Sequence, residues 1–236
     1  MLHKIEALYG LILTATDGEI GKIKDFYFDD QSWAVRYLVA DTGTWLTGRQ
    51  VLLSPHSLGP LDPSGLSLHV NLTRLRIEAS PSIEMHRPVS RQYEEEYYSY
   101  YGWPAYWQNS GLLGIGGSAA FPVLVPPAPI ADLTRHHGHN QRDDVHLRST
   151  KDITGYQIEA TDGPLGKVSG FMLNVNDWTI CELMVETGHW FSGKEVLIMP
   201  DRVSHISYEN SKVFVNLSQS DLKRTKENEI ASTVNH

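Results

Sequence analysis

Only one cysteine, Cys181, stands among the 236 residues. No disulfide can form within the chain, so packing and hydrogen bonds must hold the fold, as suits a reducing compartment. Cys181 lies in a strand-like apolar run and reads as a small filler, since no motif supplies the partnered histidine a nucleophile needs. Clustered positive charge is also missing. Acidic residues outnumber basic ones, 28 to 20, for a formal charge of −8. Without a basic stripe to displace counterions from phosphates, nucleic-acid binding is not expected. Long hydrophobic runs are absent too. A spanning helix needs about 20 continuous apolar residues. The most apolar stretch, Ala119–Ile130, is short and broken by prolines. The N-terminus, Met1-Leu-His-Lys-Ile-Glu-Ala-Leu8, does not read as a signal peptide. The expectation is a cytoplasmic protein without a transmembrane segment, meeting a membrane only peripherally, at the inner face.

What the chain does have is one stretch that occurs twice. Ala15-Thr-Asp-Gly-Glu-Ile-Gly-Lys-Ile23 returns as Ala160-Thr-Asp-Gly-Pro-Leu-Gly-Lys-Val168. Between Ala15 and Pro55, 16 of 41 positions are identical at a constant offset of 145, without a gap. The same offset pairs Gly10 with Gly155, and Val70-Asn71-Leu72 with Val215-Asn216-Leu217. A repeat of about 70 residues is long enough for a small core and too long for one solenoid unit.

Each copy reads as β structure. Leu11–Thr16, Ile20–Phe28, Trp33–Ala40, Val51–Leu53 and Ser67–Leu72 are strand candidates. Asp17-Gly18 and Asp162-Gly163 suit tight turns, because glycine tolerates a positive φ. Thr42-Gly43 and Thr47-Gly48 bracket Trp45 in a turn or bulge. Short strands with regular turn signals predict a small barrel or sandwich. After the second copy, Ser218-Gln-Ser-Asp221 resembles a helix-capping sequence. The domains expected are 1–78, a linker over 79–150, 151–224 and a polar tail over 225–236.

The linker differs in kind. Ser90 can cap a helix carrying Tyr93, Tyr97 and Tyr100/Tyr101 on one face, and Gly102 can end it. Gly102-Trp-Pro-Ala-Tyr-Trp107 follows, then Gly- and Pro-rich sequence that predicts a mobile connection. Tyr97, Tyr101, Trp103, Tyr106 and Trp107 form the most aromatic segment. Two readings stand for it: rings buried within the chain, or a surface for a partner or a second copy.

Other chemistry is sparse. Gly21-Lys22 lacks the spacing of a phosphate loop. Glu94-Glu95-Glu96 points in three directions on a helix and reads as a solvated face. His136, His137 and His139, with Asp143, Asp144 and His146 nearby, are the best metal candidate, in a segment that reads as exposed linker. An enzyme would need a polar pocket between the repeats, built from residues such as Asp41, Glu186 and His189. No cofactor is implied. The tryptophan pairs Trp33/Trp178 and Trp45/Trp190 recur in both copies and read as packing residues.

The repeated pattern resembles the PRC-barrel, the small β-barrel in the cytoplasmic part of the photosynthetic reaction-centre H subunit and at the end of a ribosome-maturation factor. The residues that carry it are Thr16-Asp-Gly-Glu-Ile-Gly-Lys-Ile23, Tyr37-Leu-Val-Ala-Asp-Thr-Gly43, Trp45 and Gly48–Pro55. Their second set is Thr161–Val168, Leu183–Gly188, Trp190 and Gly193–Pro200. The whole chain is similar to bacterial tandem PRC-barrel proteins. The resemblance implies an all-β protein of two small barrels, joined by a long linker with a short aromatic helix and packed as a pseudo-twofold pair. It implies a docking and assembly role with a protein partner, and no family-wide catalytic residues. The chain lacks the membrane helix of the H subunit and the extra domain of the ribosomal member.

Overall fold

The computed structural model describes residues 1–80, 97–103, 146–188 and 195–221. The chain divides into two compact units, Met1–His86 with His146–His236, and Arg87–Val145. The first unit is mostly β. Its strands, in chain order, are β1 (Leu2–Lys4), β2 (Ile12–Ala15), β3 (Gly18–Asp29), β4 (Val35–Asp41), β5 (Gln50–Leu53), β6 (Leu58–Leu61) and β7 (Ser67–Val70). After the gap come β8 (Leu147–Ser149), β9 (Gln157–Ala160), β10 (Gly163–Asn174), β11 (Thr179–Thr187), β12 (Glu195–Ile198), β13 (Val203–Ser207) and β14 (Lys212–Val215).

They form two seven-stranded sheets. One runs β5-β4-β3-β2-β7-β6 and the other β12-β11-β10-β9-β14-β13. Neighbours along both paths are antiparallel, except that β2 runs parallel to β7 and β9 parallel to β14. Corresponding strands lie at the offset of 145 seen in the sequence, and β3 and β10 have the same burial pattern residue for residue. Alternation puts Ile20, Ile23, Phe26 and Phe28 into one core, and Leu165, Val168, Phe171 and Leu173 into the other.

The seventh strand of each sheet comes from the segment that leads into the other copy of the repeat. β1 pairs with β10, with Leu2 opposite Asn174 and Lys4 opposite Met172. β8 pairs with β3, with Leu147 opposite Asp29 and Ser149 opposite Tyr27. The exchange is reciprocal at the same offset, the symmetry an isologous pair would show. Between the two strands at the middle, Val35 N–H donates to Trp178 C=O and Ile180 N–H donates to Trp33 C=O, each at 2.8 Å. Trp33 and Trp178 both hold φ near +57, at 58° and 56°, and both are buried. A left-handed tryptophan is uncommon. Here the turn swings each backbone carbonyl onto the opposite half, while Phe28–Trp33 and Phe26–Trp178 ring contacts fill the space beneath.

Local rules account for the turns. Asp17 and Asp162 end their tight turns and also accept backbone N–H groups from Arg74 and Gln219, each at 2.8 Å. Asp17 thereby holds the start of helix α1 (Arg74–Glu78), whose N-cap is Thr73. Residues 219–221 are helical, and Ser218 with Asp221 forms the reciprocal cap the sequence suggested: Asp221 N–H donates to Ser218 Oγ, and Ser218 N–H to Asp221 Oδ2. Gly21 and Gly166 are needed for a different reason. A Cβ there would overlap the carbonyl oxygens of Asp41 and Glu186 on the neighbouring strands. The sequence reading missed β1, β8, β6, β13 and the two short helices, α1 and α2 (Thr150–Ile153).

In the second unit, residues 97–101 are helical. Gly102 takes φ +71°, and Trp103 N–H bonds to Tyr98 C=O at 3.0 Å, the Schellman ending that glycine permits.

Candidate functional site

The two sheets share one strand order, so positions that differ at the offset of 145 are not fixed by that order. One cleft of the first unit, of about 600 Å³, is lined mostly by residues that differ at the offset of 145, Trp33 and Pro200 being the exceptions. Its wall on one side is the β3–β4 turn with Asp30, Gln31 and Trp33, together with His146 and Arg148 at β8. The opposite wall is the 3-10 turn Pro200–Arg202 and strand β13, with Asp201, Ser204 and His205.

The turn is shaped by Asp29. Its Oδ1 accepts Gln31 N–H, Ser32 N–H and the Ser32 hydroxyl at 2.8–3.0 Å. Burial works to raise the Asp29 pKa, but the two Ser32 donors and Arg36 outweigh it and hold the carboxyl below its ordinary value. The turn projects Asp30 onto β8. Asp30 N–H donates to His146 C=O at 2.9 Å. Its carboxylate takes His146 Nδ1 on one oxygen at 2.9 Å and Arg148 Nε on the other at 2.7 Å. With Nδ1 donating, His146 Nε2 accepts from the Gln31 amide at 3.1 Å. The imidazole is therefore held between two partners rather than left as an open base. Arg148 is 17% exposed and donates only through Nε; its two terminal nitrogens have no hydrogen-bond partner among the described residues. Across the cleft, the His205 ring is stacked on Phe214, with centroids 4.3 Å apart. Trp33 and Ile206, which also line the cleft, are buried.

At the offset of 145, Asp30 corresponds to Val175, His146 to Met1, Arg148 to His3, Asp201 to His56 and His205 to Pro60. The sequence reading passed over Asp30, Arg148, Asp201 and His205, and took His146 only as a neighbour of the His136–His139 cluster. In the sequence these positions stand out only as departures from the repeat.

The predicted site residues fall elsewhere. Tyr97 and Tyr101 are buried, with rings in contact at 4.9 Å, and Trp103 stacks on Tyr101 at 4.3 Å. Tyr106, Trp107, His136, His137, His139 and His189 lie outside the described residues. Asp41 accepts Gly43 N–H at 3.0 Å in the turn after β4. Glu186 is exposed and paired with Lys167 at 3.1 Å. Asp41 and Glu186 belong to different sheets, at corresponding positions of β4 and β11. Cys181 is half-buried in β11, its Sγ 3.6 Å from the Thr179 carbonyl oxygen. Trp45 is half-buried, with the Arg74 guanidinium 4.6 Å above its ring. Among the described residues no group of three His, Cys, Asp or Glu could hold a metal ion, and no helix is long and apolar enough to cross a membrane.

No family model matches the chain, and no curated protein matches it either.

Proposed function

We propose that the chain is a non-enzymatic adaptor made of two PRC-type barrels, which docks onto a protein assembly at the inner face of a membrane. The observation that supports this reading most is the reciprocal pairing of β1 with β10 and β8 with β3. Each half gives up its own first strand to lock the other. A chain so arranged presents two similar sheets at one fixed spacing, which suits a scaffold. The sequence resemblance supplies the docking role. The barrel closure and the aromatic segment as a docking element are parts of this proposal.

Its test is native purification from soluble and membrane fractions, with stoichiometry measured by mass spectrometry, on the parent chain and on Trp103→Ala with Trp107→Ala. A stoichiometric partner that is lost in the double variant at unchanged Tm places docking on the aromatic segment. A falling Tm assigns those rings to internal packing instead. A chain that comes alone from both fractions removes the adaptor reading.

A further inference from the structure

The polar cleft asks for a ligand that the adaptor reading does not supply. Three facts narrow it. First, the fold does not need the polar set, because the corresponding positions carry Val175, Met1, His3, His56 and Pro60 in a half with the same strand order. Second, the only full positive charge among the residues lining the cleft is Arg148, and its terminal nitrogens have no hydrogen-bond partner among the described residues. Asp30, its partner, has one oxygen on His146 and the other on Arg148, so its charge is offset within the cleft. Third, the cleft that holds the charged group is also lined by the apolar side chains of Trp33, Val203 and Ile206.

From this geometry we propose that the cleft binds a single carboxylate carried beside an apolar group. The guanidinium fork matches a carboxylate in two parallel hydrogen bonds. The Ser204 hydroxyl and His205 on the facing wall offer further polar contact. A dianion such as phosphate is disfavoured, because the Asp201 carboxylate also lines the cleft and would repel a second negative charge. The apolar part of the ligand lies on Trp33 and Ile206. A cleft of about 600 Å³ takes a small organic acid or the last residues of a peptide, and falls in the usual range for ligand pockets. A free acid and a peptide C-terminus share this chemistry.

The experiment uses the full chain and protein-observed amide NMR with four probes: 4-methylpentanoate, N-acetyl-leucine, N-acetyl-leucinamide and inorganic phosphate. Saturable binding of an acid is expected, with shifts gathered at residues 30–33, 146–149 and 200–206. The neutral amide and phosphate should bind at least about tenfold more weakly, the scale of one charge-assisted hydrogen bond. Arg148→His places there the residue that position 3 carries, so it should remain folded and weaken acid binding about tenfold or more. Arg148→Lys keeps the charge beside Asp30 but loses the fork, and should weaken it severalfold. Tighter binding of N-acetyl-leucine than of 4-methylpentanoate identifies a peptide terminus as the source, and the reverse order a free acid. The proposal is overturned if neither acid binds, if amide or phosphate binds as well as the acids, or if both Arg148 variants bind as the parent does. None of these results depends on whether a protein partner is found, so the adaptor reading stands or falls separately.

Discussion

The two halves of the first unit solve one packing problem with the same chemical group taken from opposite places. In the first half, Asp25 on β3 is buried, and its carboxylate accepts Phe26 N–H, Lys151 N–H and the hydroxyls of Ser149 and Thr150. The carboxylate stands on the sheet and holds the arriving arm. In the second half, the position of Asp25 is Gly170. There Glu6 from the arm fills the space, so closely that any Cβ at Gly170 would collide with its carboxylate. Glu6 accepts the N–H of Phe171, the residue that corresponds to Phe26, and its own backbone N–H, where Asp25 takes that of Lys151. The lesson is that the repeat preserves an acceptor for the arm and not a residue. Sheet position 25 and arm position 151 carry Asp and Lys; sheet position 170 and arm position 6 carry Gly and Glu.

A second contrast lies on the outer faces. Leu52 and Ser54 are fully buried, whereas their counterparts Leu197 and Met199 are 49% and 60% exposed. The sheets match in path and differ in what their edges show to solvent.

The comparison breaks first at the glycines. Gly21→Ala and Gly166→Ala should each cost about 3 kcal/mol or more, as a Cβ forced against backbone must displace a strand. Urea denaturation of both variants checks this, and a loss confined to one half would show that the halves are not built alike. Next comes the acceptor exchange. Asp25→Gly leaves two hydroxyls and two backbone N–H groups without their acceptor and should cost ~1–3 kcal/mol. Adding Lys151→Glu imitates the second half and should recover part of the loss in a double-mutant cycle. A double variant no better than the single would mean that the two arms are not interchangeable.

A smaller effect, about 1 kcal/mol each, is expected for Asp17→Ala and Asp162→Ala, which remove matching contacts to Arg74 and Gln219. Similar Tm decreases in the two variants would sharpen the correspondence. The smallest change is one of pH dependence. Burial raises the pKa of Asp25 and of Glu6 above the ordinary values, against the hydrogen bonds that lower them. A carboxyl with a folded pKa above its unfolded value contributes most below the unfolded value, about 3.9 for Asp and 4.3 for Glu, and loses that contribution as pH rises through the folded value. The stability of Asp25→Asn and Glu6→Gln relative to the parent should therefore improve as pH rises from about 4. Flat differences in denaturation series across that window would contradict the shared sign.

Much of the strand pattern was legible because alternation and turn chemistry are local. Asp17-Gly18 and the cap at Ser218 depend on neighbours a few residues away, and the sheet follows them. Strands β1 and β8 were not legible. Three residues are too few to show a period, and their partners stand more than a hundred residues off. The polar cleft was hidden for the same reason. Asp30 and Arg148 are separated by 118 positions and meet only because β8 crosses to β3.

The amino-acid order by itself determined that there would be two copies of one β pattern, with glycine wherever strands approach too closely for a side chain, because periodicity and steric exclusion act within short stretches. Which half strands β1 and β8 would join, which carboxylate would meet which arm, and where the Arg148 guanidinium would stand in the cleft were decided only by the tertiary structure. These depend on pairings between distant segments, and a hydrogen bond carries no mark in the sequence of the partner it will find.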